Sequence, residues 1–251
     1  MTVHFIGAGP GAADLLTVRA VRLLGASPVC LYAGTYVTPE VLAHCPAGAR
    51  IIDTQQLDLD QITAHLVDAH RSGQDVARLC SGDPSIYSAI WEQTRRLDNA
   101  AVPWDITPGV PAYAAAAAII GHELTVPGRA QTVILTRMQA RSTAMPDTES
   151  LVTLAASRST LVLHLAITRT RDIADQLIPI YGADCPVAVV SRATQADELV
   201  LQGTLADIAD AVEAAGLRQA AVILVGRALE RTTAPDLDEE SHLYSAARRR
   251  T

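Results

Sequence analysis

Apolar positions along the chain form short unbroken runs separated by stripes of helical period, a strand and helix rhythm that predicts an α/β fold. Val3 to Ile6 is the first run, and it ends in Gly7-Ala8-Gly9-Pro10-Gly11 before a helical stretch from Asp14 to Leu24. Val29 to Tyr32 and Arg50 to Asp53 read as the next strands. Between them, Thr38-Pro39-Glu40 has the order of N-cap, first helical position and first-turn acid. Asp58 to Arg71 places Ile62, Leu66 and Ala69 on one side and stops at Gly73, which predicts an amphipathic helix. The strand Asp75 to Cys80 runs into Ser81-Gly82-Asp83-Pro84, and a helix is expected from Pro84 to Leu97. A further strand, Trp104 to Ile106, meets Thr107-Pro108-Gly109-Val110-Pro111 and an alanine-rich helix from Ala112 to Ile120.

Three glycine-bearing loops, at Gly7, Gly82 and Gly109, therefore each follow a strand and precede a helix. A parallel sheet gathers such loops at one edge, where α/β folds bind ligands. The breakers from Gly121 to Gly128 interrupt this rhythm and mark a domain connection. Beyond it, strands are expected at Gln131 to Thr136, Thr160 to Leu165, Pro186 to Val190, Leu199 to Gln202 and Ala220 to Val225. Helices are expected near Glu149 to Ala156, Thr168 to Tyr181 and Thr204 to Ala215. The expected organisation is an α/β domain over residues 1–121, a second over 122–231, and a flexible tail over 232–251.

Composition narrows the function classes. A net charge of -7 argues against non-specific nucleic-acid binding. No apolar run approaches the roughly 18 residues that span a bilayer, and Met1 to Ile6 carries no secretory pattern, so a cytoplasmic protein is expected. Cys30, Cys45, Cys80 and Cys185 are scattered, which fits free thiols, and His65 and His70 have the wrong interval for metal ligands on one helical face. No protein-held metal is expected. All 20 basic residues are arginines. Codon bias accounts for this as it does for the abundant alanine, but it leaves only guanidinium forks and backbone amides to grip carboxylates.

The loop around Gly82 and Asp83 admits two readings. Gly82 permits a close backbone approach to a ligand and Asp83 offers an acceptor pair, or Asp83 is simply the N-cap of the following helix. The glycine loop at Gly7 is a poor dinucleotide site. Pro10 removes an amide where a pyrophosphate needs donors, and Val29 to Tyr32 ends without the acid that would hold a ribose. Ala112 to Ala118 would let a flat aromatic ligand lie against backbone, or would serve close helix-to-sheet packing.

Gly7-Ala8-Gly9-Pro10-Gly11 with Asp14, Ser81-Gly82-Asp83-Pro84 and Thr107-Pro108-Gly109-Val110 resemble the hallmark loops of the tetrapyrrole methylases, which use S-adenosylmethionine. The resemblance continues in Thr160 to Leu165 and Ala220 to Gly226 and covers roughly residues 1 to 230. Within that family, Leu31-Tyr32-Ala33-Gly34, Glu123 to Arg137 and Arg141 to Pro146 resemble the precorrin-4 C-11 methyltransferases of the cobalamin pathway. The resemblance implies two α/β domains, usually in a homodimer, with the cofactor in a trough between the domains. By position, the cofactor would meet Pro10, Gly82, Asp83, Ile86, Tyr87, Pro111 and Ala112, with Leu165, Arg192, Ala193 and Ala221 from the second domain. Family members often have glycine where Ala193 aligns. The loop at Gly9 would face the tetrapyrrole.

The methyl group of the cofactor is already activated, so the expected task is to hold an electron-rich ring carbon about 3 Å from it, in line and out of water. No indispensable nucleophile is expected. Asp14, Asp83 or Tyr87 could assist loss of a proton, each also being explicable as a cap, a cofactor contact or a pocket wall. A precorrin carries many carboxylates, and Arg129, Arg137 and Arg141 are the candidates for forked contacts to them. Rival readings are a methyltransferase of another corrin intermediate, cobalt-precorrin-4 included, of ribosomal RNA or of a modified histidine, and a non-catalytic cofactor sensor.

Overall fold

The computed structural model describes residues 1–138 and 144–230. Two compact units divide the chain, Met1–Ala115 with Thr194–Ala196, and Ala116–Ala193 with the chain from Asp197 on. The division falls inside the helix Ala112–Ile120, and the stretch Gly121 to Gly128, where breakers cluster, follows directly.

The first unit runs β1 (Val3–Gly7), α1 (Val18–Ala26), β2 (Val29–Tyr32), α2 (Pro39–Leu42), β3 (Arg50–Asp53), α3 (Leu59–Arg71), β4 (Val76–Cys80), α4 (Ile90–Asn99), β5 (Trp104–Thr107) and α5 (Ala112–Ile120). Its strands form one parallel sheet in the order β3-β2-β4-β1-β5. Val3, Phe5, Leu31 and Val76 face Ile62, Leu66 and Ala69 of α3 and Leu97 of α4. Ile6, Cys30, Ala77 and Leu79 face Ala20 and Leu24 of α1 and Val41 of α2. Both faces of the inner strands β1, β2 and β4 are covered, which is why they read as mainly apolar runs rather than alternating ones. The start of α3 is fixed by a capping box, in which Asp58 accepts from the Gln61 amide and Gln61 accepts from the Asp58 amide.

Two expected helices start elsewhere. The stretch from Asp14 is first a single 3-10 turn, Ala13–Leu15, and α1 begins only after Thr17, whose side chain accepts from the Ala20 amide. The helix expected from Pro84 begins at Ile90. Residues 84–89 are irregular instead, with Tyr87 and Ala89 in the left-handed region at φ 53° and 50°.

The second unit holds β6 (Val133–Arg137), α6 (Leu151–Ala155), β7 (Thr160–His164), α7 (Thr170–Tyr181), β8 (Pro186–Ser191), β9 (Leu199–Thr204), α8 (Ile208–Ala214) and β10 (Ala221–Val225). Its sheet has the order β6-β7-β10-β8-β9 and is mixed. β6 and β7 are parallel, and β10 runs antiparallel to both of its neighbours. Leu161, Leu163, Val187, Val189 and Ile223 carry its core, packed with Ile173 and Leu177 of α7 and Ile208 and Val212 of α8. The stretch read as a flexible tail, like Arg141, lies outside the described residues.

Candidate active site

In the first sheet β1 lies between β4 and β5, so the loops that follow these three strands are neighbours. Their approach is backbone on backbone. A Cβ on Gly7 would sit 2.4 Å from the Gly109 amide nitrogen, and one on Gly109 would sit 2.3 Å from the Gly82 carbonyl oxygen. Only glycine fits at either position. Gly9 and Gly82, at φ 70° and 63°, exchange both backbone hydrogen bonds, 3.2 Å and 2.8 Å long. A Cβ on Gly82 would come to 3.4 Å of the Ala112 amide nitrogen and 3.5 Å of Pro111 Cα. The fold therefore brings Gly9, Gly82, Asp83, Pro111 and Ala112 together at the carboxyl edge of one sheet.

Asp83 is not a helix cap, since α4 starts at Ile90. One carboxylate oxygen accepts from the Ser85 amide at 2.8 Å and from the Ser85 hydroxyl, and the other accepts from the Gly109 amide at 2.8 Å. Partial burial opposes ionisation of this carboxyl, but the hydrogen bonds from Ser85 and Gly109 outweigh it and hold the pKa below the usual carboxylate range. Asp83 thus acts as a charged clasp between two loops. The pattern Asp-Pro-Ser is the local signal that could have announced its Ser85 contacts, because aspartate readily accepts from the amide two residues on.

The glycine loop is pinned by residues with no local signal at all. Ala12 donates its amide to Thr194 Oγ1 at 2.9 Å, Gln195 Nε2 donates to the Pro10 carbonyl at 3.4 Å, and Thr38 donates to the Gly11 carbonyl at 3.1 Å. Pro10 is buried, and the Gly9 amide and carbonyl are both spent on Gly82. Such a loop offers few free donors to a pyrophosphate. Asp14 is exposed in its 3-10 turn, Ile86 is half-buried, and Tyr87 is 48% exposed.

In the second unit the register of the sheet gathers the remaining candidates. Ile223 pairs with Leu163 and Ala221 with Ser191, so Leu165, Ala221, Arg192 and Ala193 share one edge. Arg137 pairs with His164 and lies at the same edge. Leu165, Arg192 and Ala220 are left-handed at φ 52°, 48° and 56°, although none is glycine. Leu165 is also 61% exposed. Strain of this kind persists where surrounding structure imposes it, and it clusters at ligand sites. The Arg192 amide donates to the Ala220 carbonyl at 2.8 Å, and its guanidinium meets Asp197 at 3.2 Å. Burial lowers the pKa of His164, favouring the neutral imidazole.

Arg129 has a different place. Its side chain is 10% exposed and its guanidinium donates to Glu230 at 2.8 Å, with weaker contacts of 3.5 Å to the carbonyls of Arg227 and Glu230. The fork is committed within the second unit.

The model of the Tetrapyrrole (Corrin/Porphyrin) Methylases matches residues 2–209. The chain belongs to the tetrapyrrole methylase family. A precorrin-4 C(11)-methyltransferase of Rhodococcus erythropolis is 59% identical, over 100% of this chain and 99% of its own. Among solved structures, a cobalt precorrin-4 methyltransferase of cobalamin biosynthesis superposes with a TM-score of 0.88 at 39% identity, over 92% of this chain and 96% of that one. A uroporphyrin-III C-methyltransferase of Thermus thermophilus, in complex with S-adenosylhomocysteine, gives 0.76 at 27% identity, over 91% and 99%. Among the described residues of this tetrapyrrole methylase no group of histidine, cysteine or acidic side chains is disposed to hold a metal ion. None of its described helices is long and apolar enough to cross a membrane.

Proposed function

We propose that this chain is an S-adenosylmethionine-dependent methyltransferase that methylates precorrin-4 at C-11 in cobalamin biosynthesis. The observation that carries this reading is the 59% identity to a precorrin-4 C(11)-methyltransferase over the full length of both chains. When bound, S-adenosylmethionine supplies a sulfonium-activated methyl group, so the protein's work is binding, orientation and exclusion of water. Gly82 packs its backbone closely beside Pro111 and Ala112 to form a cradle at this edge, and the Asp83 clasp keeps it in place. Pro10, Ile86 and Tyr87 flank this cradle in our assignment, and the strained edge formed by Leu165, Arg192, Ala193 and Ala221 supplies further cofactor contacts. Positioning alone supplies roughly 7–11 kcal/mol to reactions of this kind, which fits a site without a dedicated nucleophile. Asp14 and Tyr87 are the side chains assigned to help a proton leave.

Arg137 and Arg141 are assigned to the carboxylates of the tetrapyrrole. Arg129 is left out, because its largely buried guanidinium is already committed to Glu230. The cytoplasmic location and the homodimer expected of the family belong to the same reading. A second substrate, the cobalt-bearing precursor, is favoured by the match to a cobalt precorrin-4 methyltransferase structure. Comparing kcat/KM on the two precursors decides between them.

Calorimetric titration with S-adenosylhomocysteine tests the cofactor site. Saturable binding by wild type, lost in Gly82→Arg with its circular dichroism unchanged, is the expected result. Absence of binding by folded wild type overturns the assignment. In turnover, Arg137→Ala is expected to raise KM for the tetrapyrrole while cofactor affinity stays within twofold.

A further inference from the structure

Arg78 sits on β4 in the middle of the first sheet, paired with Phe5 on one side and Leu31 on the other. It is 8% exposed. Burying a guanidinium is costly unless a carboxylate compensates it, and among the described residues no carboxylate forms an ion pair with this one. An apolar residue at this place would serve the core better. The charge therefore calls for a use other than core packing.

Its hydrogen bonds point to one. Arg78 Nε donates to Gln93 Oε1 at 3.0 Å, and the amide nitrogen of Gln93 donates to the Ala89 carbonyl at 3.0 Å. Gln93 is 2% exposed, so the side chain at the centre of the relay is shut off from water. Ala89 is the left-handed residue at which the loop Ser81–Ala89 turns into α4. At the other end of that loop Asp83 is clasped to Gly109. Arg78 Nη1 also donates to Thr54 Oγ1 at 3.4 Å, and the Thr54 hydroxyl in turn donates to the Tyr32 carbonyl at 3.0 Å, fixing the carboxyl end of β2.

We infer that Arg78 is a positioning residue, which, through Gln93 and the Ala89 carbonyl, holds the loop carrying Gly82, Asp83, Ile86 and Tyr87 in its binding conformation before a ligand arrives. The inference rests on the assignment of that loop to the cofactor. The guanidinium is suited to this because its planar, permanently charged fork fixes the orientation of the Gln93 amide, oxygen toward β4 and nitrogen toward Ala89. A hydroxyl or amide in its place, able to accept as well as donate, would leave that amide free to turn over. Ordering the loop in advance removes a cost that the ligand would otherwise meet on binding.

The test uses the full chain with Gln93→Leu, Arg78→Lys and Arg78→Met, and two readouts. One is chymotryptic cleavage after Tyr87, which is exposed and lies in the middle of the loop. The other is calorimetric affinity for S-adenosylhomocysteine. The expected result for Gln93→Leu is a thermal midpoint near that of wild type, cleavage at Tyr87 at least fivefold faster, and cofactor affinity about tenfold weaker. Arg78→Lys is expected to fall between wild type and Arg78→Met, and Arg78→Met with Gln93→Leu to be no worse than the more impaired single variant. Saturating S-adenosylhomocysteine should restore slow cleavage in every variant. Folded Gln93→Leu with wild-type cleavage and affinity within twofold overturns the inference. If wild type fails to bind S-adenosylhomocysteine, the cofactor assignment fails, while a faster cleavage in Gln93→Leu still shows that the relay orders the loop.

Discussion

At the carboxyl edge of the first sheet, glycines do the work: Gly7 and Gly109 lack the Cβ atoms that would force the loops apart, and Gly82 is left-handed at φ 63°. At the corresponding edge of the second sheet the special backbone is carried by Leu165, Arg192 and Ala220, which hold left-handed conformations despite their side chains. The first edge is closed by a charged clasp, Asp83 on Gly109. The second stores strain and is held by strand register, with the Arg192 amide bonded to the Ala220 carbonyl. The difference teaches that a ligand edge can be shaped by removing atoms or by imposing dihedrals. The first way writes itself into the sequence as glycine motifs, and the second leaves ordinary residues in extraordinary conformations.

Substitutions can break this contrast. The largest effect is expected for Gly109→Ala, which drives a methyl group into the Gly82 carbonyl and so must push the two loops away from each other. Overpacking of this kind costs about 3 kcal/mol, at the upper end of its usual range, and should appear in thermal unfolding as a midpoint lowered by roughly 6–12 °C. Asp83→Asn comes next. One amide oxygen cannot accept from both Ser85 and Gly109, and losing a hydrogen bond to a charged acceptor costs about 1.5–3 kcal/mol. Its S-adenosylhomocysteine affinity should fall by roughly tenfold or more in calorimetry, by the same arithmetic.

Leu165→Gly sharpens the contrast from the other side. Glycine relieves the left-handed strain but makes the unfolded chain more flexible, so stability by chemical denaturation should move by less than about 1 kcal/mol. Cofactor affinity should nevertheless weaken, because the exposed side chain is the portion assigned to the ligand. The smallest effect is pH-dependent. Asp83 has its pKa lowered from 3.8, so its contribution to stability is fully present above 3.8 and is lost as pH falls through the lower folded value. Acid unfolding of Asp83→Asn should accordingly be less steep than that of wild type at the acidic end.

Most elements were legible because their signals are local. The capping box of α3, with Asp58 and Gln61, and the apolar stripe Ile62, Leu66 and Ala69 depend on residues within one helix. The start of α4 was not legible. Pro84 after Asp83 has the form of a helix opening, yet Asp83 turns to Ser85 and to Gly109, which is 26 positions away. Arg129 illustrates the same limit. Nothing near it in the chain announces Glu230, which is 101 positions on and takes its guanidinium.

By itself the sequence determined the order of strands and helices, the three glycine loops and the tetrapyrrole methylase family, because periodicity, caps and glycine motifs act over a few residues. Tertiary structure alone decided what those pieces do to one another. It placed the strands so that Gly7, Gly82 and Gly109 touch, turned Asp83 from a cap into a clasp, and led Thr194 to the Ala12 amide. It also set Leu165, Ala221 and Arg192 along one edge by register. The physical reason is that hydrogen-bond partners and close contacts between distant segments are fixed by packing of whole sheets, and packing leaves no signature in the few residues on either side of a contact.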